Sequence, residues 1–289
     1  MNTPLLFFTE IFYKYIVLRK AKDIEKIYGG KMKKLVTLSV VLILLCALLT
    51  QNVFAGTEEL SQAKSWYIVK RAGSAPSFPP EAETVKKYGG IYLDEKSIEL
   101  GNKYIYLTFD AGYENGNITK IVDILNECDV KASFFILSNL ADRNKELLKK
   151  MVDSGHLLCN HSSTHPDMTT VSTDEMLDEL KRLEDYCYAE TGLTVSKYFR
   201  FPKGKYTAEH LKALNEARYK AVFWSLCYAD WDNAKQVSPE SARSTLLSFT
   251  HDGAIVLLHP TSATNVMILR DLITEWKSLG YTFKTLENL

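Results

Sequence analysis

The 289-residue chain has no excess charge of either sign: 35 Lys and Arg balance 35 Asp and Glu. Without a basic surplus, nothing argues for nucleic acid as a partner. Cysteine is scarce, at five residues, and Cys128, Cys159, Cys187 and Cys227 lack tight paired spacing. Neither a thiolate zinc site nor a disulfide framework is indicated. Cys159 and Cys227 fall in apolar runs and read as buried thiols. The apolar run Leu35–Leu49 is shorter than the about 20 residues a membrane span requires. What the chain does have is ordinary globular composition, 46% hydrophobic and 24% charged, with 16 Tyr and 4 Trp. Such aromatics would suit sugar stacking, but on composition alone core packing is the favoured reading.

The N-terminus carries the layout of a secretory signal. Lys33 and Lys34 precede the apolar run, and Val53-Phe54-Ala55 follows it as a small-residue cleavage site. Residues 32–55 are therefore expected to be a signal peptide cleaved after Ala55, with an uncleaved anchor as the alternative. Met32-Lys33-Lys34 resembles a natural start, so residues 1–31 are expected to be translated upstream DNA. A genuine amphipathic leader is the other reading. The first 55 residues hold 8 Lys/Arg and 3 Asp/Glu, leaving 27 against 32 beyond them, a net charge of about −5. A mildly acidic exported protein of this kind does not obviously seek a polyanion.

Residues 56–102 read as an irregular lead-in, rich in Pro and Ser from Ser74 to Pro80. From Lys103 the pattern becomes regular. Strands are predicted at 104–109, 132–137, 156–159, 198–200, 221–226, 254–258 and 281–283, where β-branched and aromatic residues gather. Helices are predicted at 117–128, 142–152, 173–191, 208–217, 239–249 and 265–279, the third capped by Ser172 or Thr173. Strands and helices alternating at this spacing form parallel βα units. The fold class is thus α/β, with residues 103–289 forming a single distorted or incomplete (β/α) barrel of seven or eight parallel strands.

Chemistry-capable residues gather at the strand ends. Asp110 follows the first strand, and His161 and His165 follow the third. Arg200 ends the next, Asp230 and Trp231 come soon after Leu226, and His259 follows Leu258. In a parallel barrel all of these lie at the C-terminal mouth, where active sites form. On a helical turn, His at i and i+4 would face one side and suit a divalent metal. His156, His210 and His251 lack that context and read as structural or surface residues.

These residues resemble the polysaccharide deacetylases, the NodB homology domain of carbohydrate esterase family four. Five blocks agree in order: Thr108-Phe109-Asp110-Ala111-Gly112, His161 to His165, Arg200-Phe201-Pro202-Lys203-Gly204, Asp230-Trp231 and Leu257-Leu258-His259. Further stretches are most similar to the delta-lactam-biosynthetic de-N-acetylases of spore-forming bacteria. These are Phe109 to Gly116, His165 to Thr170, Tyr228 to Asp232, and the lead-in residues Trp66-Tyr67 and Pro79-Pro80-Glu81.

The resemblance implies hydrolytic, metal-dependent de-N-acetylation of N-acetylmuramic acid in peptide-free peptidoglycan strands, leading to muramic δ-lactam in spore cortex. It implies Asp110 as base, His259 as acid, Arg200 orienting Asp110 and Asp230 holding His259. His161 and His165 would hold one divalent metal, zinc as first choice. The main-chain N–H near Lys203 would help bind the oxyanion. Trp231, Lys203, Tyr113 and Asn115 would bind or wall the substrate. One departure stands out: Ala111 occupies the place where the family usually has a metal-binding Asp. Glu114 and Asp167 are the candidate substitutes. The partners implied are glycan strands, with a membrane only through an uncleaved signal, and the protein is expected to be a monomer. The alternatives are a deacetylase of N-acetylglucosamine in peptidoglycan or chitin oligomers, and an inactive carbohydrate-binding domain.

Overall fold

The computed structural model describes residues 60–289 and Arg19. The signal at 32–55 and nearly all of the 1–31 extension lie outside the described residues. No helix among the described residues is long and apolar enough to cross a membrane.

The lead-in forms short regular elements rather than irregular chain, and its first strand pairs with Lys205 and Tyr206 far along the sequence. It holds strands β1 (Lys64–Ser65), β2 (Val69–Arg71) and β3 (Ser74–Ser77), then helices α1 (Ala82–Lys87) and α2 (Glu95–Glu99). The central strand β4 (Tyr104–Ala111) follows. Beyond it come α3 (Ile118–Glu127), β5 (Ser133–Ile136), α4 (Ser138–Arg143), α5 (Lys145–Asp153) and β6 (Leu157–Asn160). Then follow α6 (Thr173–Thr191), β7 (Ser196–Phe199), β8 (Lys205–Tyr206), α7 (Ala208–Glu216), β9 (Lys220–Ala221) and β10 (Leu226–Cys227). The chain closes with α8 (Pro239–Ser248), β11 (Ala254–Leu258), α9 (Ala263–Ser278) and β12 (Thr282–Lys284).

The sheet is parallel and curled, in the order β10-β11-β4-β5-β6-β7-β9, with β12 also paired to β4. The expected strand at 221–226 is two short strands instead. β9 pairs with β7 at one edge and β10 with β11 at the other, so one chain segment reaches both edges. Ile91 bridges to Val222 and Leu93 to Ala254, filling the gap there with lead-in residues. β12 pairs with the start of β4 and β5 with its end.

Period-2 alternation along β4 separates its two faces. Ile105, Leu107, Phe109 and Ala111 join the main apolar cluster, together with Ile118, Ile121, Val122 and Leu125 of α3. Tyr106 packs instead in a smaller cluster with Phe135, Cys159, Val222 and Ile255. Thr108 and Asp110 share the face of Tyr106. Ile105, Leu107 and Phe109 are fully buried, and each such side chain contributes roughly 1.5–3 kcal/mol. The register sets the level of the site: Leu258 pairs with Phe109, so His259 emerges beside Asp110.

Most helix bounds match the sequence pattern to within two residues. Helix α6 runs from Thr173 to Thr191 with a Ser172–Glu175 capping box and a left-handed Gly192 at its end. The helix expected at 142–152 is broken at Asn144, whose φ of −134° and ψ of 45° are not helical.

Candidate active site

Asp110 rests on a buried arginine. Arg200, with no exposed surface, donates from Nη1 to Asp110 Oδ1 at 2.7 Å and from Nη2 to Thr108 Oγ1 at 2.8 Å. Its Nε donates to the Val222 carbonyl at 3.2 Å, and its guanidinium lies 4.1 Å from the Phe135 ring centre. Every element of the fork is thus held by a strand or by a neighbouring side chain. Burial pushes the Asp110 carboxyl up, but Arg200, His161 and His259 together outweigh it and hold it below the ordinary carboxylate range. Asp110 is an anion at neutral pH.

The two imidazoles meet through a loop, not a helical turn. Ser162 and His165 have φ of 73° and 61°, in the left-handed region. The Ser162 N–H is fastened to Asn160 Oδ1 at 2.9 Å and the His165 N–H to Ser162 Oγ at 3.0 Å. This reversal brings the rings to a centre distance of 4.9 Å, tilted by 69°. His161 Nδ1–H donates to the Arg200 carbonyl at 2.9 Å, which leaves the Nε2 lone pair facing Asp110 Oδ2 at 3.6 Å. Burial holds the His161 pKa down at about 4. His165 is also lowered, by burial first and by Lys203 among other neighbours.

Across the site, His259 is set by a buried carboxylate. Asp230 Oδ1 accepts from His259 Nδ1 at 2.7 Å, and Oδ2 accepts from the His259 N–H at 2.7 Å. Asn265 Nδ2 also donates to Asp230 Oδ2 at 2.7 Å and to the His259 carbonyl at 2.9 Å. Tyr228 in turn donates to Asn265 Oδ1 at 2.6 Å. Burial lowers the His259 pKa, but Asp230 more than offsets this, and the pKa lies above that of free histidine.

These groups open into one cavity of about 680 Å³, within the range of small-molecule sites. Asp110, His161, His165 and His259 line it with Tyr113, Lys203 and Trp231. Trp231 is 65% exposed and Tyr113 48%, so both present aromatic surface to solvent at the mouth. Asn233 Nδ2 donates to Tyr113 Oη at 2.9 Å. Arg200 and Asp230 stand behind Asp110 and His259. Asn115 is also set back, its side chain donating to the carbonyl of Thr261, a wall residue.

The two candidate substitute ligands are occupied elsewhere. Glu114 accepts from the backbone of Gly116 and Thr119, at the start of α3. Asp167 accepts from Thr169 at 3.2 Å and from Lys205 at 2.6 Å. Neither lines the cavity. Among the described residues, no three His, Cys, Asp or Glu side chains are grouped to hold an ion. The donor chemistry still suits a metal in part, because neutral imidazoles are the form that ligates and His161 is fixed by a backbone carbonyl. Ala111 faces the apolar layer against α3.

The structural histidines are buried rather than on the surface. His251 bridges Ser225 and the Phe249 carbonyl, and His210 bonds to Thr207 and Val171. His156 accepts from the Ala132 N–H. Cys159 is buried as expected, whereas Cys227 is only partly buried and lines the cavity. Asn265 carried no sequence signal, because an Asn opening a helix reads as a cap. Thr108 and Tyr228 fell inside motif blocks but had no evident role there.

The model of the polysaccharide deacetylase family matches residues 97–222. An uncharacterised 30.6 kDa protein of Geobacillus stearothermophilus is 40% identical over 216 residues, covering 73% of this chain and 80% of that protein. The chain belongs to the polysaccharide deacetylases. Peptidoglycan-N-acetylmuramic acid deacetylase PdaA of Bacillus subtilis is 38% identical over 216 residues, covering 73% of this chain and 81% of that one. The solved structure of that PdaA, a family 4 carbohydrate esterase, superposes with a TM-score of 0.74 at 35% identity, over 79% of this chain and 97% of that one. A family 4 carbohydrate esterase from Bacillus anthracis does so at 0.64, with 35% identity and coverages of 79% and 96%. This deacetylase is a hydrolase of amide bonds, and deacetylases of its family are generally metal-dependent.

Proposed function

We propose that this deacetylase removes the acetyl group from N-acetylmuramic acid in peptidoglycan, on the path to muramic δ-lactam in spore cortex. The observation that carries the proposal is a paired arrangement lining one cavity: an Arg200-held Asp110 carboxylate and an Asp230-held His259. The 38% identity to an N-acetylmuramic acid deacetylase supports the choice of sugar.

An acetamide resists hydrolysis, because its carbonyl is a weak electrophile and its amine a poor leaving group. In our reading Asp110 takes the proton of the attacking water, and Arg200 keeps it ionised and aimed. A tetrahedral oxyanion forms, helped by the main-chain N–H near Lys203. The C–N bond then breaks as His259 gives its Nε2 proton to the departing nitrogen. Acetate and a free amine result. His161 and His165 are the residues that would hold one divalent ion, zinc as first choice. When bound, such an ion polarises the carbonyl and acidifies water. Trp231 and Tyr113 wall the sugar. The protein acts outside the cytoplasm as a monomer, with residues 32–55 as the export signal and 103–289 as the catalytic domain.

The test is to incubate the purified protein with peptide-free glycan strands and with intact peptidoglycan, and to score acetyl loss and lactam by mass. Acetyl loss from muramic residues is expected. Loss from N-acetylglucosamine alone would replace the proposed substrate with the other sugar.

A further inference from the structure

The charges of the cavity pair off, with one exception. Asp110 faces Arg200, and Asp230 faces His259. Lys203 is the one lysine or arginine among the lining residues, and its ammonium has no hydrogen-bond or carboxylate partner among the described residues. Its neighbour Lys205, by contrast, is paired with Asp167 at 2.6 Å. Lys203 is also exposed, so its ammonium can meet a solute.

The backbone at Lys203 is unusual. Its φ of 58° and ψ of 10° are left-handed, and Gly204 follows with φ 64°. A side chain there costs roughly 1–2 kcal/mol that glycine would avoid. The turn is held from both sides: the Trp66 N–H donates to the Gly204 carbonyl at 2.8 Å, and the Gly204 N–H to the Phe201 carbonyl at 3.0 Å. A Cβ on Gly204 would come within 2.7 Å of the Trp224 ring, so the residue after Lys203 has to be glycine. A lysine kept at a strained, well-anchored position beside the reacting groups points to a use for its charge.

We infer that the Lys203 ammonium is the receptor for a carboxylate borne by the substrate sugar, and so selects an acid-ether amino sugar over a neutral one. The inference rests on the muramic reading above. A lactyl ether on C3 places its carboxylate close enough to the C2 nitrogen for the two to close a six-membered lactam. The receptor must therefore sit near the amide-hydrolysing groups, and Lys203 lines the same cavity. N-acetylglucosamine has only a hydroxyl at that carbon, and a peptide-substituted muramic residue has a neutral amide. Neither offers Lys203 an ion partner.

The experiment compares binding of free N-acetylmuramic acid and free N-acetylglucosamine to the full chain by titration calorimetry. Lys203→Gly is the chief variant, because glycine suits the left-handed backbone and the fold is retained. Wild type is expected to prefer the acid by about tenfold or more, the worth of a charge-assisted hydrogen bond. In Lys203→Gly the ratio falls to about one, while Lys203→Arg keeps much of it. Added salt shrinks the wild-type preference. No preference in wild type, or a preference that survives in Lys203→Gly, overturns the inference. Turnover is scored separately on peptide-free glycan. A protein that prefers the acid through Lys203 yet releases no acetate from muramic residues would sink the proposed function and leave the receptor standing. Acetate release with an unchanged preference in Lys203→Gly would do the reverse.

Discussion

Asp230→Asn isolates the acid half of the proposed chemistry. Asp230 accepts three hydrogen bonds, from His259 N–H, His259 Nδ1–H and Asn265 Nδ2. An asparagine can satisfy all three partners in one way only. Its oxygen takes the His259 N–H and Asn265, and its amide donates to His259 Nδ1. That forces His259 into the other tautomer, with the proton on Nε2 and no anion to support a second one. The second N–H of the new amide is left buried without an acceptor among the described residues, so the stability cost is about 1–3 kcal/mol. The catalytic cost is large, since general acid catalysis is worth about 10²–10⁴-fold. Asp230 is also the chief influence raising the His259 pKa against burial. Activity that needs protonated His259 fades as pH rises through that pKa, so the alkaline limb should move to lower pH in the variant. The assay is acetate release from peptide-free glycan across pH, set beside an activated acetate ester. The ester's leaving group needs no proton, so its hydrolysis should fall much less. Equal losses on both substrates, or an unmoved alkaline limb, would refute the assignment of His259 as acid.

Arg200→Met should leave Asp110 as a buried anion without its partner, costing roughly 3–5 kcal/mol in a urea melt. The Asp110 pKa should rise and carry the acid limb of the rate profile upward; an unmoved limb would show that Arg200 does not set it. Ala111→Asp puts a carboxylate into the apolar layer against α3. Without metal it should lose roughly 3 kcal/mol, and added zinc should restore stability only if the new group reaches the His161–His165 pair; an unchanged melt in chelator would show that position 111 does not face the core. Burial holds the pKa of both His156 and His161 at about 4, so between about pH 6.5 and 4 the unfolded chain binds protons that the folded one refuses. Stability is therefore full above about pH 6.5 and is lost as pH falls. His156→Gln should remove about 2 kcal/mol of the loss between pH 7 and pH 5, read from urea midpoints.

Much of the fold was legible because periodicity is a local property. Helix α6 matched at both ends, since its Ser172–Glu175 box and Gly192 lie within the helix's own neighbourhood. The strand at 221–226 did not, because which edge each half pairs with depends on partners far along the chain. The same divide runs through the site. Asp110, His161, His165 and His259 were readable as residues at strand ends, and the cavity brings all four together. Tyr113, Lys203 and Trp231 join them on its wall, whereas Asn115 stands behind Thr261.

By itself, then, the sequence determined the αβ alternation, the strand ends at which polar side chains emerge, and the five ordered motif blocks. Tertiary structure alone decided how those side chains are supported. It turned the His161–His165 spacing into a left-handed loop instead of a helical turn, with Asn160 Oδ1 accepting from the Ser162 N–H and Ser162 Oγ from the His165 N–H. It committed Glu114 and Asp167 to local caps and an ion pair, away from the cavity. It recruited Asn265 to Asp230, and it left Lys203 on the cavity wall with no ion partner among the described residues. The Asn265–Asp230 and Lys205–Asp167 contacts and the place of Lys203 depend on which groups meet once distant segments have packed, and sequence spacing does not carry that information.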